Sequence, residues 1–235
     1  MAELINCAVE RARFMVRRDG AIGVVQTVLR WIVGFVWLTE DHVWCMLDLA
    51  GARPAPQLSA GITLIRAEAA PRDWLGQLSN VPASVAEARI QRGHDLWLAL
   101  RDERMLFSMW VFRGTTPTIA APDGEILLPD GVVCFEDVQT VADMRGRGIA
   151  PAAFAAVADS LAEAHVEQVV AKIAVQNEAS IRAFEKAGFQ QVSVMHFRRH
   201  GRRRRTWFDR RHGTLAGVFA DRLVPAFQVS AIGRC

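Results

Sequence analysis

Residues 145–150 of the chain read Arg-Gly-Arg-Gly-Ile-Ala. A β-branched run, residues 132–141, precedes it, and an alanine-rich segment that begins near Ala150 follows it. A strand that ends in closely spaced glycines and opens a helix directs backbone N–H groups and the positive end of the helix dipole at one point. The glycines permit positive φ angles and close backbone approach, and the arginines add positive charge. The pattern predicts a phosphate-binding turn, and an ordinary loop is the alternative interpretation.

A second segment lies downstream of this turn. Residues 177–189 read Asn-Glu-Ala-Ser-Ile-Arg-Ala-Phe-Glu-Lys-Ala-Gly-Phe and follow another β-branched run, residues 169–175. Together the two segments resemble the GNAT superfamily of acyl-CoA-dependent N-acyltransferases. The phosphate loop of that family has the pattern Arg/Gln-x-x-Gly-x-Gly/Ala, and its second motif is an Asn that opens a helix ending in aromatic-x-x-x-Gly-Phe. The residues that match are Arg145, Gly148 and Ala150 in the first motif and Asn177, Phe184, Gly188 and Phe189 in the second.

The resemblance covers residues 62–208 and implies the fold class. We expect an α/β protein with a GNAT-type mixed, mostly antiparallel central sheet that is flanked by helices. Two regions are expected. Residues 1–56 form an N-terminal helical extension with a strand and a Pro-rich linker, and residues 57–235 form the acyltransferase domain with an Arg-rich hairpin and a tail.

The resemblance also implies acetyl-CoA, or another acyl-CoA, as the co-substrate, with no metal. In the family, the strand before the phosphate turn moves away from its parallel neighbour, so that backbone at Thr140 pairs with the pantetheine amides. Asn177 is expected to cap its helix and to hydrogen-bond the cofactor arm. The expected cofactor-binding residues are Val138, Thr140, Arg145, Gly146, Arg147, Gly148, Ile149, Ala150, Asn177, Ser180 and Phe184.

Amide formation from a thioester needs a proton acceptor, because most of an amine is ammonium at neutral pH. Glu136 and Asp137 are adjacent carboxylates in an apolar run, and both are candidate catalytic residues. Adjacent strand residues face opposite sides of a sheet, so only one is expected to face the cleft. In several family members a proton acceptor lies nine residues before the phosphate motif, and the residue at that position here is Glu136. Asp137 would face the same side of the sheet as Glu136 only if a bulge shifted the strand register. Pairing of both carboxylates with nearby arginines is the structural alternative.

The chain contains no tyrosine. Many GNAT enzymes carry a tyrosine that is taken to protonate the departing thiolate, and the matching position here is Phe184, which cannot donate a proton. The acid is then another group or water. Ser180 and His196 are candidates, although each is also typical of a cap or a packed polar residue.

Positive charge is concentrated near the C-terminus. Residues 198–211 carry a net +7, which leaves −4 for the rest of a chain of net charge +3. The segment is predicted to form a hairpin through His200 and Gly201, beside the acceptor cleft in the family. Three interpretations are open: a solvated edge that discourages aggregation, a face for an acidic substrate or partner, and, least favoured, a nucleic-acid footprint.

The apolar stretch Ala21–Leu38 is predicted to be an amphipathic helix that packs on the domain or on a second subunit of a homodimer. Its length is near the minimum for a membrane span, but Arg30 lies at its centre, where charge is costly. A peripheral membrane contact is the alternative interpretation. The cysteines, Cys7, Cys45, Cys134 and Cys235, are scattered without ligand spacing and predict thiols in a reducing cytoplasm.

The favoured function is transfer of an acetyl group from acetyl-CoA to a primary amine by direct attack. One rival keeps the fold and changes the donor to a longer acyl-CoA, because the apolar N-terminal helix and the loops rich in Trp and Phe are suited to lining an acyl tunnel. A second rival is a catalytically degenerate protein that binds acyl-CoA as a sensor or scaffold, which the missing tyrosine and the Arg-rich hairpin favour.

Overall fold

The computed structural model of the chain describes residues 37–67, 72–121, 124–201 and 203–210. Nearly all of the predicted helix Ala21–Leu38 lies outside the described residues, as do Cys7, Cys235 and the tail from residue 211. Its last two residues, Trp37 and Leu38, begin a strand instead. None of the helices in the described ranges is both long enough and apolar enough to cross a membrane.

The described part of the chain alternates strands and helices. Their bounds are β1 (Trp37–Asp48), β2 (Thr63–Arg66), α1 (Arg72–Leu75), α2 (Ala83–Gln91), β3 (Asp95–Arg101), β4 (Arg104–Arg113), β5 (Thr115–Pro117), β6 (Glu125–Leu127), β7 (Val132–Thr140), a 3₁₀-helix (Ala142–Met144), α3 (Ile149–Glu163), β8 (Gln168–Ala174), α4 (Glu178–Lys186), β9 (Gln190–His200) and β10 (Arg203–Arg210).

Eight strands form one sheet in the order β10-β9-β1-β8-β7-β4-β3-β2. Only β7 and β8 run parallel in it, and the other neighbours are antiparallel. The expected mixed, mostly antiparallel sheet flanked by helices is therefore confirmed. The hairpin between β3 and β4 turns through Asp102 and Glu103, both at positive φ, as a two-residue hairpin requires.

The first strand lies deep inside this sheet. β1 pairs with β8 from His42 to Asp48 and with β9 from Trp37 to Met46. Trp44 and Cys45 point to opposite faces and are both fully buried, which explains the continuous apolar run around them. The sequence suggested a strand within an N-terminal extension, but the structure builds that strand into the middle of the sheet.

Each face of the sheet has its own apolar core. Helices α3 and α4 cover one face, where Phe135, Phe154 and Phe189 lie among the buried side chains. Helices α1 and α2 and the small β5–β6 sheet cover the other, where Trp44, Trp110 and Cys134 are buried. We refer to these as the α3/α4 face and the α2 face.

Two local expectations were wrong on the α2 face. The turn sequence Pro129-Asp130-Gly131 predicts a hairpin between residues 125–128 and the central strand, but β6 pairs with β5 in a separate two-stranded sheet. The spacing of Ser84 and Glu87 predicts a capping box that opens a helix to about Gln91, but the N-cap of α2 is Pro82 and no side chain caps it. The helix still ends at Gln91, as expected.

The segment between β1 and β2 crosses the α3/α4 face. Arg53 ties it to α3 through an ion pair with Asp159, with 2.6 Å between Nη2 and Oδ1. Pro54 lies against Gly188, so closely that a Cβ added at Gly188 would stand 2.8 Å from the proline Cδ. Gly188 also has a φ of +91°, in the left-handed region that follows a helix C-cap.

Gly188→Ala is expected to destabilise the protein more than Gly93→Ala does. Both glycines follow a helix C-cap at positive φ, but a Cβ at Gly93 would meet nothing within 4 Å. The left-handed backbone alone costs roughly 1–2 kcal/mol for alanine, and the contact with Pro54 adds roughly 1–3 kcal/mol at Gly188. Urea unfolding of both variants measures the difference, and equal losses would contradict the close approach of Pro54.

Candidate active site

The parallel strands β7 and β8 pair over only four residues. Their register runs from Val132 opposite Gln168 to Phe135 opposite Ala171. Beyond that point β7 continues to Thr140 without a backbone pair to β8. The two strands therefore open a gap that faces the 3₁₀-helix and the glycine turn.

The glycine turn is shaped to receive a ligand. Gly146 and Gly148 have φ angles of +75° and +77°, and a Cβ added at either would meet nothing within 4 Å. Gly148 is the N-cap of α3, so the first N–H groups of that helix lack intrahelical acceptors. Arg145 is held back toward the strand, because its Nε donates to the Thr140 carbonyl oxygen at 3.2 Å. The residues present thus fit a phosphate group at this helix terminus.

A cavity of about 590 Å³ opens at the end of β7, between α3 and α4. Nine of the eleven residues predicted to bind the cofactor line it, and Arg147 and Phe184 do not. Those nine are Val138, Thr140, Arg145, Gly146, Gly148, Ile149, Ala150, Asn177 and Ser180.

Sequence reasoning missed eight further lining residues. Four of them, Ala179, Arg182, Ala183 and Lys186, recur at helical spacing and form one face of α4. This periodicity was a readable signal, and it adds two cations to the cavity. The other four are Gln139, Met144, Pro151 and Phe154.

Asn177 performs the predicted capping role. Its Oδ1 accepts a hydrogen bond from the Ser180 backbone N–H at 3.2 Å. Phe184, by contrast, belongs to the core, with 3% of its surface exposed. Its ring stacks on Phe154 with centroids 4.1 Å apart and meets Phe189 edge-on.

Strand alternation predicts that Glu136 and Asp137 face opposite layers unless a bulge shifts the register, and β7 carries such a bulge. Between the pairs Ser108–Gln139 and Trp110–Glu136, one residue of β4 faces two residues of β7. Asp137 takes a φ of +49° there. Both carboxylates consequently lie on the α2 face.

Asp137 is bound to helix α2 and the loop before it. Its Oδ2 accepts a hydrogen bond from Arg89 Nη1 at 2.7 Å, and its carbonyl oxygen accepts one from Asn80 at 2.9 Å. The Arg89 guanidinium also lies over the rings of Trp110 and Phe112. For Asp137 the structure has the predicted alternative of pairing with an arginine.

Glu136 is paired with a lysine that sequence reasoning did not select. Lys172 Nζ lies 2.9 Å from Glu136 Oε1, and the two side chains are 10% and 12% exposed. Burial raises the pKa of Glu136 above the usual glutamate range, while the Lys172 charge opposes that rise. A lysine inside the apolar run Val-Val-Ala-Lys-Ile-Ala was the missed signal, since a buried lysine requires a partner.

The two candidates for the acid step lie in different places. Ser180 lines the cavity. His196 lies on β9, where its Nδ1 is 2.7 Å from Asp41 Oδ1 and its Nε2 is 3.0 Å from Asp209 Oδ2. With both ring nitrogens engaged and its ring stacked on Trp207, His196 joins β1, β9 and β10 and does not line the cavity.

Gly148→Glu is expected to weaken CoA binding by well over tenfold, about 1.4 kcal/mol or more. The added carboxylate would enter the open space at the α3 N-terminus and repel phosphate. Gly93→Glu is the matched control, because it places glutamate at a positive φ away from the cavity. Calorimetry with CoA measures both, and unchanged affinity in folded Gly148→Glu would remove the phosphate site.

Comparison with known proteins agrees with this geometry. Residues 137–190 match the family model described as an acetyltransferase (GNAT) domain. No curated protein matches the chain in sequence.

Solved structures resemble the fold at low identity. The glucosamine N-acetyltransferase region of a fungal multi-domain GH3 β-N-acetylglucosaminidase, described as GCN5-related, aligns with a TM-score of 0.52 and 15% identity, over 77% of this chain and 23% of that one. A Drosophila protein aligns with a TM-score of 0.50 and 14% identity, over 74% of this chain and 56% of that one. This chain thus spans little more than half of the Drosophila protein. The family model thus makes residues 137–190 similar to a GNAT acetyltransferase domain, and the solved structures show that the fold is shared.

Proposed function

We propose that the chain transfers the acetyl group of acetyl-CoA to a primary amine of a small molecule or peptide, by direct attack and without a covalent enzyme intermediate. The observation that carries this proposal is the position of the cavity. It joins the glycine turn at the α3 N-terminus to the end of β7, and Glu136 lies on the same strand where β7 leaves β8.

The cavity offers two kinds of contact to acyl-CoA. At the glycine turn, backbone N–H groups and the cations Arg145, Arg182 and Lys186 suit the pyrophosphate. Along β7, the backbone of residues 138–140 has no pair on β8 and suits the amides of the pantetheine arm. The bound thioester supplies an electrophilic carbonyl and a good leaving group.

Glu136 is proposed to accept the proton of the acceptor ammonium. The free amine nitrogen then forms a bond to the thioester carbonyl carbon, the carbon–sulfur bond breaks, and CoA leaves as a thiolate. The new amide loses its second proton, and the thiolate takes one up from water, so one proton is released overall. Because a CoA thiolate is a much better leaving group than an amine, water suffices where Phe184 replaces the family tyrosine.

Glu136→Gln is expected to lower kcat by roughly 10²-fold or more, within the range for losing a general base. Asp137→Asn is the matched control and is expected to cost less, because Asp137 binds Arg89 and Asn80. Steady-state rates with acetyl-CoA and a panel of amines provide the measurement. A larger loss in Asp137→Asn would assign the proton acceptor to Asp137.

Phe184→Tyr is expected to change kcat by only a few-fold. The Phe184 ring stacks on Phe154 in the core and does not line the cavity, so a hydroxyl there is not placed beside a departing thiolate. A 100-fold rise in the rate would show instead that the natural chain lacks an acid that the site requires.

A second candidate function is binding of acyl-CoA without turnover. The observation in its favour is that Glu136 forms an ion pair with Lys172. Acyl-CoA donors of increasing chain length, tested for binding by calorimetry and for transfer by mass spectrometry, separate the possibilities. Transfer only from longer donors would support an acyltransferase that uses a longer-chain acyl-CoA. Binding without transfer would support a protein that binds acyl-CoA as a sensor or scaffold.

A further inference from the structure

We propose that Lys172 is a positioning residue that holds Glu136 ionised and fixes the orientation of its carboxylate where β7 and β8 separate. The inference rests on the proposed role of Glu136 as proton acceptor. Lys172 itself does not contact the reacting atoms in this proposal and acts only through Glu136.

The ion pair lies at a defined place in the sheet. Phe135 and Ala171 form the last backbone pair between β7 and β8. Glu136 and Lys172 are the next residue on each strand, and their side chains meet across the opening gap at 2.9 Å. A side-chain contact thus continues the pairing at the point where backbone hydrogen bonds stop.

Lys172 is fixed by a second, independent contact. Its Nζ donates to the carbonyl oxygen of Pro117 on β5 at 2.7 Å. The ammonium is therefore bound to β7 and to the small sheet that covers the α2 face. It is one of only two lysines among 28 basic side chains, with arginine at the remaining positions.

The contacts of Glu136 use only one of its oxygens. Lys172 Nζ lies at 2.9 Å and Cys134 Sγ at 3.8 Å, and both approach Oε1. Within the described residues no hydrogen bond reaches Oε2. Lys172 consequently orients the carboxylate while leaving Oε2 available for a proton.

Other charged groups surround the pair on every element packed against it. Asp137 on β7 and Arg89 on α2 act on Glu136, and Cys134 on β7 acts on Lys172. The Lys172 charge in turn acts on Glu40 and His42 on β1. Of these, only Lys172 forms a direct ion pair with Glu136 among the described residues. Without its ammonium, a buried carboxylate with a carboxylate neighbour would favour the protonated form.

The test measures the ionisation of Glu136 directly. Carbon-13 NMR of protein labelled at the glutamate carboxyl carbons gives the titration midpoint of Glu136, and Glu136→Gln assigns its resonance. Lys172→Met is expected to raise that midpoint by at least about one pH unit, whereas Lys172→Arg keeps the charge and is expected to hold it close to the wild-type value. The double variant Glu136→Gln/Lys172→Met leaves no unpaired charge and controls for folding.

The pH profile of kcat/KM supplies the second readout. In Lys172→Met the acidic limb of this profile is expected to move to higher pH by the same amount as the NMR midpoint. At a given pH on that limb, kcat/KM falls about tenfold for each pH unit of the shift. A lysine with only a structural role would lower thermal stability and leave the acidic limb of kcat/KM in place, which would overturn the inference. Should Lys172→Met fail to fold, a raised midpoint in Lys172→Arg would overturn it equally.

The outcomes also separate this inference from the proposed function. A midpoint that moves in Lys172→Met, in a protein whose wild type binds CoA but acetylates no amine, would support the assignment of Lys172 and contradict the acetyltransferase proposal alone. A midpoint that does not move, in a protein that acetylates amines, would contradict the assignment of Lys172 alone.

Discussion

The early separation of β7 from β8 is the constraint on which the site depends. Backbone N–H and C=O groups inside a protein require hydrogen-bond partners. At the end of β7, the backbone of β8 does not supply them. The structure compensates in part, since Arg145 donates to the Thr140 carbonyl oxygen. What remains is a strand end that is open to a ligand, next to a helix terminus with free donors. The cavity follows from the strand geometry and not from a chance arrangement of side chains.

Such a gap is stable only if each of its strands is held from the other side. β7 is paired with β4 along most of its length. β8 is paired with β1 from end to end, from Gln168 to Ala174. β1 is itself held by β9. β1 therefore stabilises the separated strands. It holds β8 on the side away from β7, so that β7 can separate from β8 while the rest of the sheet stays paired.

The sequence predicted the features that depend on local chemistry. The glycine turn and the Asn177 cap each follow from a few neighbouring residues, and the structure contains both. The features that were missed depend on distant partners. The place of β1 is set by pairing with strands more than 100 residues away, and β6 pairs with β5 across a loop. The bulge at Asp137 depends on the register with β4, which no local pattern encodes.

Burial shifts the pKa values of several ionisable side chains on the α2 face, near the place where β7 and β8 separate. Glu40 and His42 on β1 share that face with Lys172, because Trp44, two residues beyond His42, lies opposite Lys172. Burial raises the pKa of Glu136 and of Glu40, and it lowers the pKa of His42 to about 4. In each case the poorly solvated environment favours the neutral form. An acceptor ammonium that entered from this face would meet the same penalty, which favours its deprotonation before attack. If Glu136 is the proton acceptor, as proposed, its ionised form would depend on the buried Lys172 charge beside it.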